Sequence, residues 1–159
     1  MAAERGYANV FCFKGGIPEW RSFNYPLAVN PDYASIKVNK ISPKKLYSML
    51  EADSSLYVLD VRPIDCNLEK IFIKDTHICP MVYLADWHKN IPKDAGIVIS
   101  DWTNKKSILA AKFLSNLGYN VIGVLKGGIV RWRDEKLPLE YRETSLAHDK
   151  DLCEKERQR

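Results

Sequence analysis

The sequence predicts an α/β domain, a parallel sheet covered by helices on both faces. Three observations carry this. Apolar runs at 56–59, 81–84, 97–99 and 121–125 read as strands. They are uniformly apolar rather than alternating, as strands buried on both faces are. Helical spacing, with helix start and stop signals, separates them, so strands and helices alternate along the chain.

Each element has its own signal. Ser42 caps a helix and Pro43 suits its first position. Leu46, Met49 and Leu50 then fall at helical spacing, so 43–52 reads as a helix. The run 56–59 is a buried strand ending at Asp60. Residues 63–80 are mixed, a loop with some helix, and 81–84 reads as a second strand. Asp86 is a candidate cap for a short helix over 87–90. The turn Asp94-Ala95-Gly96 leads into a third strand at 97–99. Over 107–117, Leu109, Ala110, Phe113, Leu114 and Leu117 share one helix face, and Gly118 stops it. A fourth strand covers 121–125, and Gly127-Gly128 opens a last short helix through Trp132. In 143–159, nine of 17 residues are charged, which reads as a frayed or helical tail.

The chain has 159 residues, 46% hydrophobic and 28% charged, the balance of one globular domain plus a remainder. No apolar run is long enough to span a membrane as a helix. The net charge of +4 is scattered and does not imply nucleic acid. Cys12, Cys66, Cys79 and Cys153 lie far apart, and only His77, His88 and His148 could join them at a metal. Neither a metal site nor a disulfide framework is expected. No signal peptide is visible. The expectation is a soluble chain of unfixed compartment, with the cytoplasm favoured.

Shifting the chain by 112 residues reveals an internal repeat. Over 22 ungapped positions, residues 6–27 and 118–139 are identical at ten. They share a Gly-Tyr turn, Lys-Gly-Gly-Ile, a Trp-Arg pair and Pro-Leu. The second copy has a full set of elements before it and the first has only five residues. Residues 1–29 therefore read as the last strand, over 10–13, and the last helix of a preceding domain, whose start lies upstream. Residues 30–39 read as a linker, 40–142 as a complete domain and 143–159 as a charged tail. A native arm that merely resembles the C-terminal end is the other reading.

Ligands of such sheets meet the C-terminal ends of the strands. The loop Ser100-Asp101-Trp102-Thr103-Asn104-Lys105-Lys106-Ser107 follows the third strand and feeds into a helix. Its backbone N–H groups could converge as an anion cradle. By local sequence alone, an ordinary turn with solvated lysines is the better reading.

The order of motifs is more specific. Asp60-Val61-Arg62 ends a strand and Thr76-His77-Ile78-Cys79-Pro80 comes after it. Then come the six-residue loop Asp101–Lys106 closed by Ser107, Leu117-Gly118-Tyr119, and Lys126-Gly127-Gly128-Ile129 with Trp132. This resembles the rhodanese-like (sulfurtransferase) family over residues 40–142, and again over 6–29 as a preceding domain's end. The resemblance implies a doubly covered parallel sheet with an active-site loop at its edge. In active members the first loop residue is a cysteine, whose thiolate takes sulfur as a persulfide and passes it to a thiol, cyanide or another protein. Here that position is Asp101. A carboxylate cannot form a persulfide, and its charge repels an anionic substrate. The family's Gly-His-Ile-Pro-Gly is likewise replaced by Thr76 to Pro80.

The resemblance, with this substitution, implies a catalytically inactive domain with a structural, regulatory or protein-interaction role in a tandem protein. The alternative is part of a thiosulfate or persulfide sulfurtransferase whose catalytic cysteine lies in the preceding domain. The resemblance gives no catalytic residue, an active-site-like loop of Asp101, Trp102, Thr103, Asn104, Lys105, Lys106 and Ser107, and loop support from Asp60, Arg62 and His77. Asp101 is expected to be held by loop N–H groups or by Lys105 or Lys106. Arg62 is expected to pair with a carboxylate, and His77 to be a hydrogen-bonded strut. Trp20 and Trp132 read as core anchors, and Trp102 as a contact residue or a cover over the loop. All four cysteines read as inert, Cys12 as buried packing. No cofactor is expected. The expected partner is the preceding rhodanese-like domain or another protein, with self-association through residues 6–29 open.

Overall fold

The computed structural model describes residues 3–28, 30–63 and 70–142. Cys66, Cys153, His148 and the charged tail lie outside them. The chain divides into two compact units, residues 1–34 and 35–159.

The first unit holds helix α1 (Gly16–Ser22) and most of α2 (Pro31–Ser35). The linker expected over 30–39 thus contains a helix. The strand expected at 10–13 does not form, since a strand needs a partner ladder and this unit has none among its described residues. Trp20 packs edge-on against Phe13 and Tyr25, yet remains 36% exposed, and Cys12 is exposed. Neither is the buried residue that the sequence suggested.

The second unit contains β1 (Lys40–Ile41), α3 (Pro43–Ala52), β2 (Tyr57–Asp60), β3 (Ile71–Phe72), β4 (His77–Ile78), α4 (Leu84–Trp87), β5 (Ile97–Ser100), α5 (Lys105–Asn116), β6 (Val121–Leu125), α6 (Gly128–Asp134) and β7 (Glu140–Tyr141). Five strands form a parallel sheet in the order β1-β6-β5-β2-β4. The strands β3 and β7 pair antiparallel as a separate ladder. The expected α/β class, with helices on both faces, is observed. β2 and β5 are buried along their whole length, which explains their unbroken apolar sequence.

Alternate residues of each strand serve the two faces. Leu59, Ile97 and Ile99 pack with Ala110, Ala111 and Leu114 of α5. Val98 and Leu125 pack with Leu46 of α3 and Ile129 and Trp132 of α6. Trp132 is 1% exposed and is a core anchor.

Two further expectations fail. Residues 81–84 are not a strand: Met81–Tyr83 form a 3-10 turn that runs into α4. Pro80 starts it, having no N–H to give a ladder and φ fixed at −50°. The strand beside β2 is instead β4, with Asp60 opposite Ile78. Asp86 lies inside α4 rather than before a helix. The two-residue strands β1, β3, β4 and β7 are too short to carry a periodic signal.

Candidate functional site: a loop closed on its own carboxylate

β2 and β5 run side by side, with Asp60 opposite Ser100, so Asp60 and Asp101 leave the sheet at the same edge. Both are buried. The loop from Asp101 turns back through Asn104, whose φ of +80° is left-handed. This turn aims the N–H groups of 104, 106 and 107 at one point. The group at that point is the Asp101 carboxylate. Its Oδ1 accepts from the Asn104 N–H at 2.6 Å. Its Oδ2 accepts from the N–H groups of Lys106 at 2.7 Å and Ser107 at 3.0 Å.

Those last two donors belong to the first turn of α5, where backbone N–H groups lack helical partners. Asn104 precedes the helix but gives no side-chain cap. Asp101 supplies the missing acceptor from further back, and the negative charge suits the positive end of the helix. The sequence allowed either N–H groups or lysine side chains in this role. Backbone N–H groups hold the carboxylate, while Lys105 and Lys106 are exposed.

Asn104 does other work, which its place in the sequence did not reveal. Its side-chain amide donates to the Leu125 carbonyl and to Ser107 Oγ, and its Oδ1 accepts from the Gly127 N–H. The loop is thereby tied to the Lys-Gly-Gly turn. Gly128 completes the contact with φ +61°, and a Cβ there would lie 2.3 Å from the Trp102 carbonyl oxygen and 2.4 Å from that of Asp101. The Ile129 N–H donates to the Asp101 carbonyl at 2.8 Å. Gly128 is thus required by close backbone approach, and Gly127 is favoured by its left-handed φ of +79°.

Arg62 supports the loop from the other side. Its Nε donates to Asp60 Oδ2 at 2.8 Å, its backbone N–H to Oδ1 at 2.9 Å, and its guanidinium to the Ile71 carbonyl. The guanidinium lies 4.6 Å from the Trp102 ring centre and 5.0 Å from that of Phe72. Trp102 is half-buried, stacked on Arg62 and packed on the core, rather than standing free on the loop. Burial pushes the Asp60 carboxyl above its ordinary range; Arg62 opposes this and the nearby Asp101 charge adds to it. Thr103 is exposed. His77 stands on β4, its ring stacked on Tyr57 at 4.0 Å rather than hydrogen-bonded among the described residues. Partial burial first, then Arg142, holds its imidazole below the usual value.

No described cysteine approaches this cradle's centre as a partner of its N–H groups. Cys79 is 2% exposed, and burial pushes its thiol up to about 12. It is thiol, not thiolate, at neutral pH. Among the described residues, no group of acidic, histidine and cysteine side chains could hold a metal ion, and no helix is long and apolar enough to cross a membrane.

The geometry is a helix N-terminal anion cradle at a sheet edge, clamped by a glycine pair. The family model described as the rhodanese-like domain matches residues 42–135. The chain belongs to the rhodanese-like domain family. A protein of Allochromatium vinosum named sulfurtransferase is 28% identical over 102 residues, spanning 64% of this chain and 94% of that protein. A rhodanese-related protein from Thermoplasma volcanium has a similar structure, with a TM-score of 0.59 at 27% identity, covering 65% of this chain and 99% of its own. A rhodanese-like domain protein from Staphylococcus aureus matches in fold, with a TM-score of 0.58 at 22% identity, over 67% of this chain and all of its own. The residues matched by the family model thus fall within the second unit.

Proposed function

We propose that residues 40–142 are a non-catalytic rhodanese-like domain with a structural, regulatory or protein-interaction role. In this reading it belongs to a tandem-rhodanese protein, and residues 1–29 are the end of a preceding rhodanese-like domain. One observation carries the first part: the Asp101 carboxylate takes the N–H groups that would otherwise receive an anionic sulfur. A second anion there would lose its donors and meet two buried carboxylates, Asp101 and Asp60. The internal repeat supports the tandem part. The sulfurtransferase name of the Allochromatium relative, matched over 94% of its own length, supports a domain of sulfurtransferase type.

The test is a thiosulfate:cyanide assay on the chain and on Asp101→Cys. The chain should give no turnover above the uncatalysed rate. Turnover by the unaltered chain that cysteine alkylation abolishes would refute the reading. The Asp101→Cys variant places a thiol before the same N–H groups, which favour a thiolate. Uptake of the outer sulfur of thiosulfate by that variant, with one sulfite released as the S–S bond of thiosulfate breaks, is the expected gain, read by mass spectrometry.

A further inference from the structure

A cavity opens at the sheet edge opposite the Asp101 loop. That loop follows the end of β5, whereas Leu56 stands just before β2, and Lys74 and Asp75 just before β4, where these parallel strands begin. α3 and α6 follow β1 and β6 and run back across the sheet, so their last turns return to the same edge. Together these elements enclose about 220 Å³. The lining runs from Tyr47 to Pro138, all within the second unit, so that unit forms the cavity alone.

The floor is apolar. Val58, Ile73 and Trp132 are buried there, with Leu50, Leu56 and the Tyr47 ring around them. The Trp132 indole N–H is spent on the Pro138 carbonyl at 2.9 Å, so this residue offers a ring and no donor. An apolar cavity of roughly 150 Å³ already admits a benzene ring. The present volume holds a ring with a short chain.

The rim is charged, and unevenly. Glu51, Asp53 and Asp75 stand on it against one cation, Lys74. Asp53 accepts from the Ser55 hydroxyl at 2.6 Å and from its N–H at 2.8 Å, and these bonds hold its carboxyl below the ordinary range. The last turn of α3 contains Glu51 and no basic side chain, so its carbonyl end adds partial negative charge. An apolar body bearing a positive group suits both parts, whereas a carboxylate of the same shape meets repulsion at the rim.

We propose that this cavity is a binding site for a small arylalkylammonium ion. Its ring lies on Val58, Ile73 and Trp132, and its ammonium stands among Glu51, Asp53 and Asp75. The site is separate from the Asp101 loop, and its test reads binding at Trp132 rather than turnover.

The experiment titrates the full chain with phenethylamine and, separately, with 3-phenylpropionate, which has the same ring and spacer and the opposite charge. The readout is the magnetic resonance shift of the Trp132 indole N–H. The control is the indole N–H of Trp87, which packs in the core on the other face of the sheet. Phenethylamine should move the Trp132 resonance and leave Trp87 in place. The anion should bind at least ~10-fold more weakly, since every rim carboxylate then repels instead of attracting. The double variant Glu51→Gln with Asp75→Asn should weaken the amine at least ~3-fold, and Lys74→Gln should strengthen it ~2-fold, the scale of exposed charge pairs. All three side chains are exposed, and Asn accepts the left-handed φ of Asp75, +56°, so an unchanged Trp87 resonance should verify the fold of each variant. A Trp132 resonance that stays fixed through the millimolar range overturns the proposal. Equal binding of amine and anion, or amine binding unmoved by the double variant, overturns it as well, because the rim then selects no charge.

Discussion

Helices α1 and α6 lie 112 residues apart, and the two copies of their motif build the same local structure. Each helix has seven residues. The indole of Trp20 donates to the Pro26 carbonyl at 3.0 Å, and that of Trp132 to the Pro138 carbonyl at 2.9 Å. Asn24 has φ +55° and Lys136 has φ +54°. The Tyr25 N–H reaches the Trp20 carbonyl at 3.3 Å, as the Leu137 N–H reaches that of Trp132. The copies part where the rest of a domain is needed. Residues 121–125 are a strand, and 9–13 are not. Trp132 is 1% exposed and Trp20 36%. Gly127 has φ +79° against the loop, while Gly15 is right-handed at −83°. The helix, the indole hydrogen bond and the turn are therefore local properties of the motif. The strand, the burial and the glycine's left-handed turn accompany the neighbours.

The largest expected contrast is between the two tryptophans. Trp132→Ala should cost the second unit about 3–5 kcal/mol, because a fully buried indole leaves a cavity. Trp20→Ala should change urea unfolding of that unit by less than about 0.5 kcal/mol, as surface substitutions do. Equal losses would mean that the first unit is part of the same cooperative core.

The glycines sharpen the same comparison. At Gly128 an added methyl meets two carbonyl oxygens of the Asp101 loop. Gly128→Ala should therefore cost about 2–4 kcal/mol, overpacking added to left-handed strain. At Gly16 the nearest atom is Pro18 Cδ at 3.7 Å, so only the strain of φ +57° remains. Gly16→Ala should cost the first unit about 1–2 kcal/mol and the second unit nothing measurable. Thermal unfolding followed in both units would read the difference, and a large loss of second-unit stability in Gly16→Ala would break the contrast.

The same division explains what the sequence made legible. The α/β class, β2, β5, β6 and α5 each had a continuous signal, because burial on both faces or on one helix face writes itself into every turn or residue. The edge strand β4 did not, since two residues carry no period and Cys79-Pro80 hides the chain's exit. Residues 81–84 looked like a strand because short apolar runs fit helix and strand alike. At the loop, the motif order located Asp101, and a carboxylate near a helix start implied N–H donors. Asn104 was missed as a tie between the loop and Gly127, because that hydrogen bond spans 23 residues and needs the fold to exist. At 10–13 the local pattern read as a strand, but a strand is made only with a partner.

The smallest expected effect concerns pH, and it should keep to the same line between the units. Residues 1–34 contain no histidine. In the second unit, partial burial and Arg142 lower the His77 value in the folded state. The unfolded chain therefore takes up a proton near pH 6.5 that the folded chain does not. Stability from this group is full above that pH and declines as pH falls through it, until the folded imidazole also protonates. Asp60 works in the opposite sense: its raised value means that the folded state holds a proton the unfolded state has lost, so its term weakens stability as pH rises through the acidic range. The difference between the parent and His77→Gln isolates the histidine. Urea unfolding of the second unit should show a shallow loss between pH 7 and the folded-state value in the parent and a flatter profile in the variant. The effect is small because His77 is exposed over much of its surface and solvent screens it. Trp20 emission in the native state should show no matching titration. An unchanged profile in His77→Gln would assign the pH dependence elsewhere, and a Trp20 signal tracking the histidine would join the two units that the comparison separates.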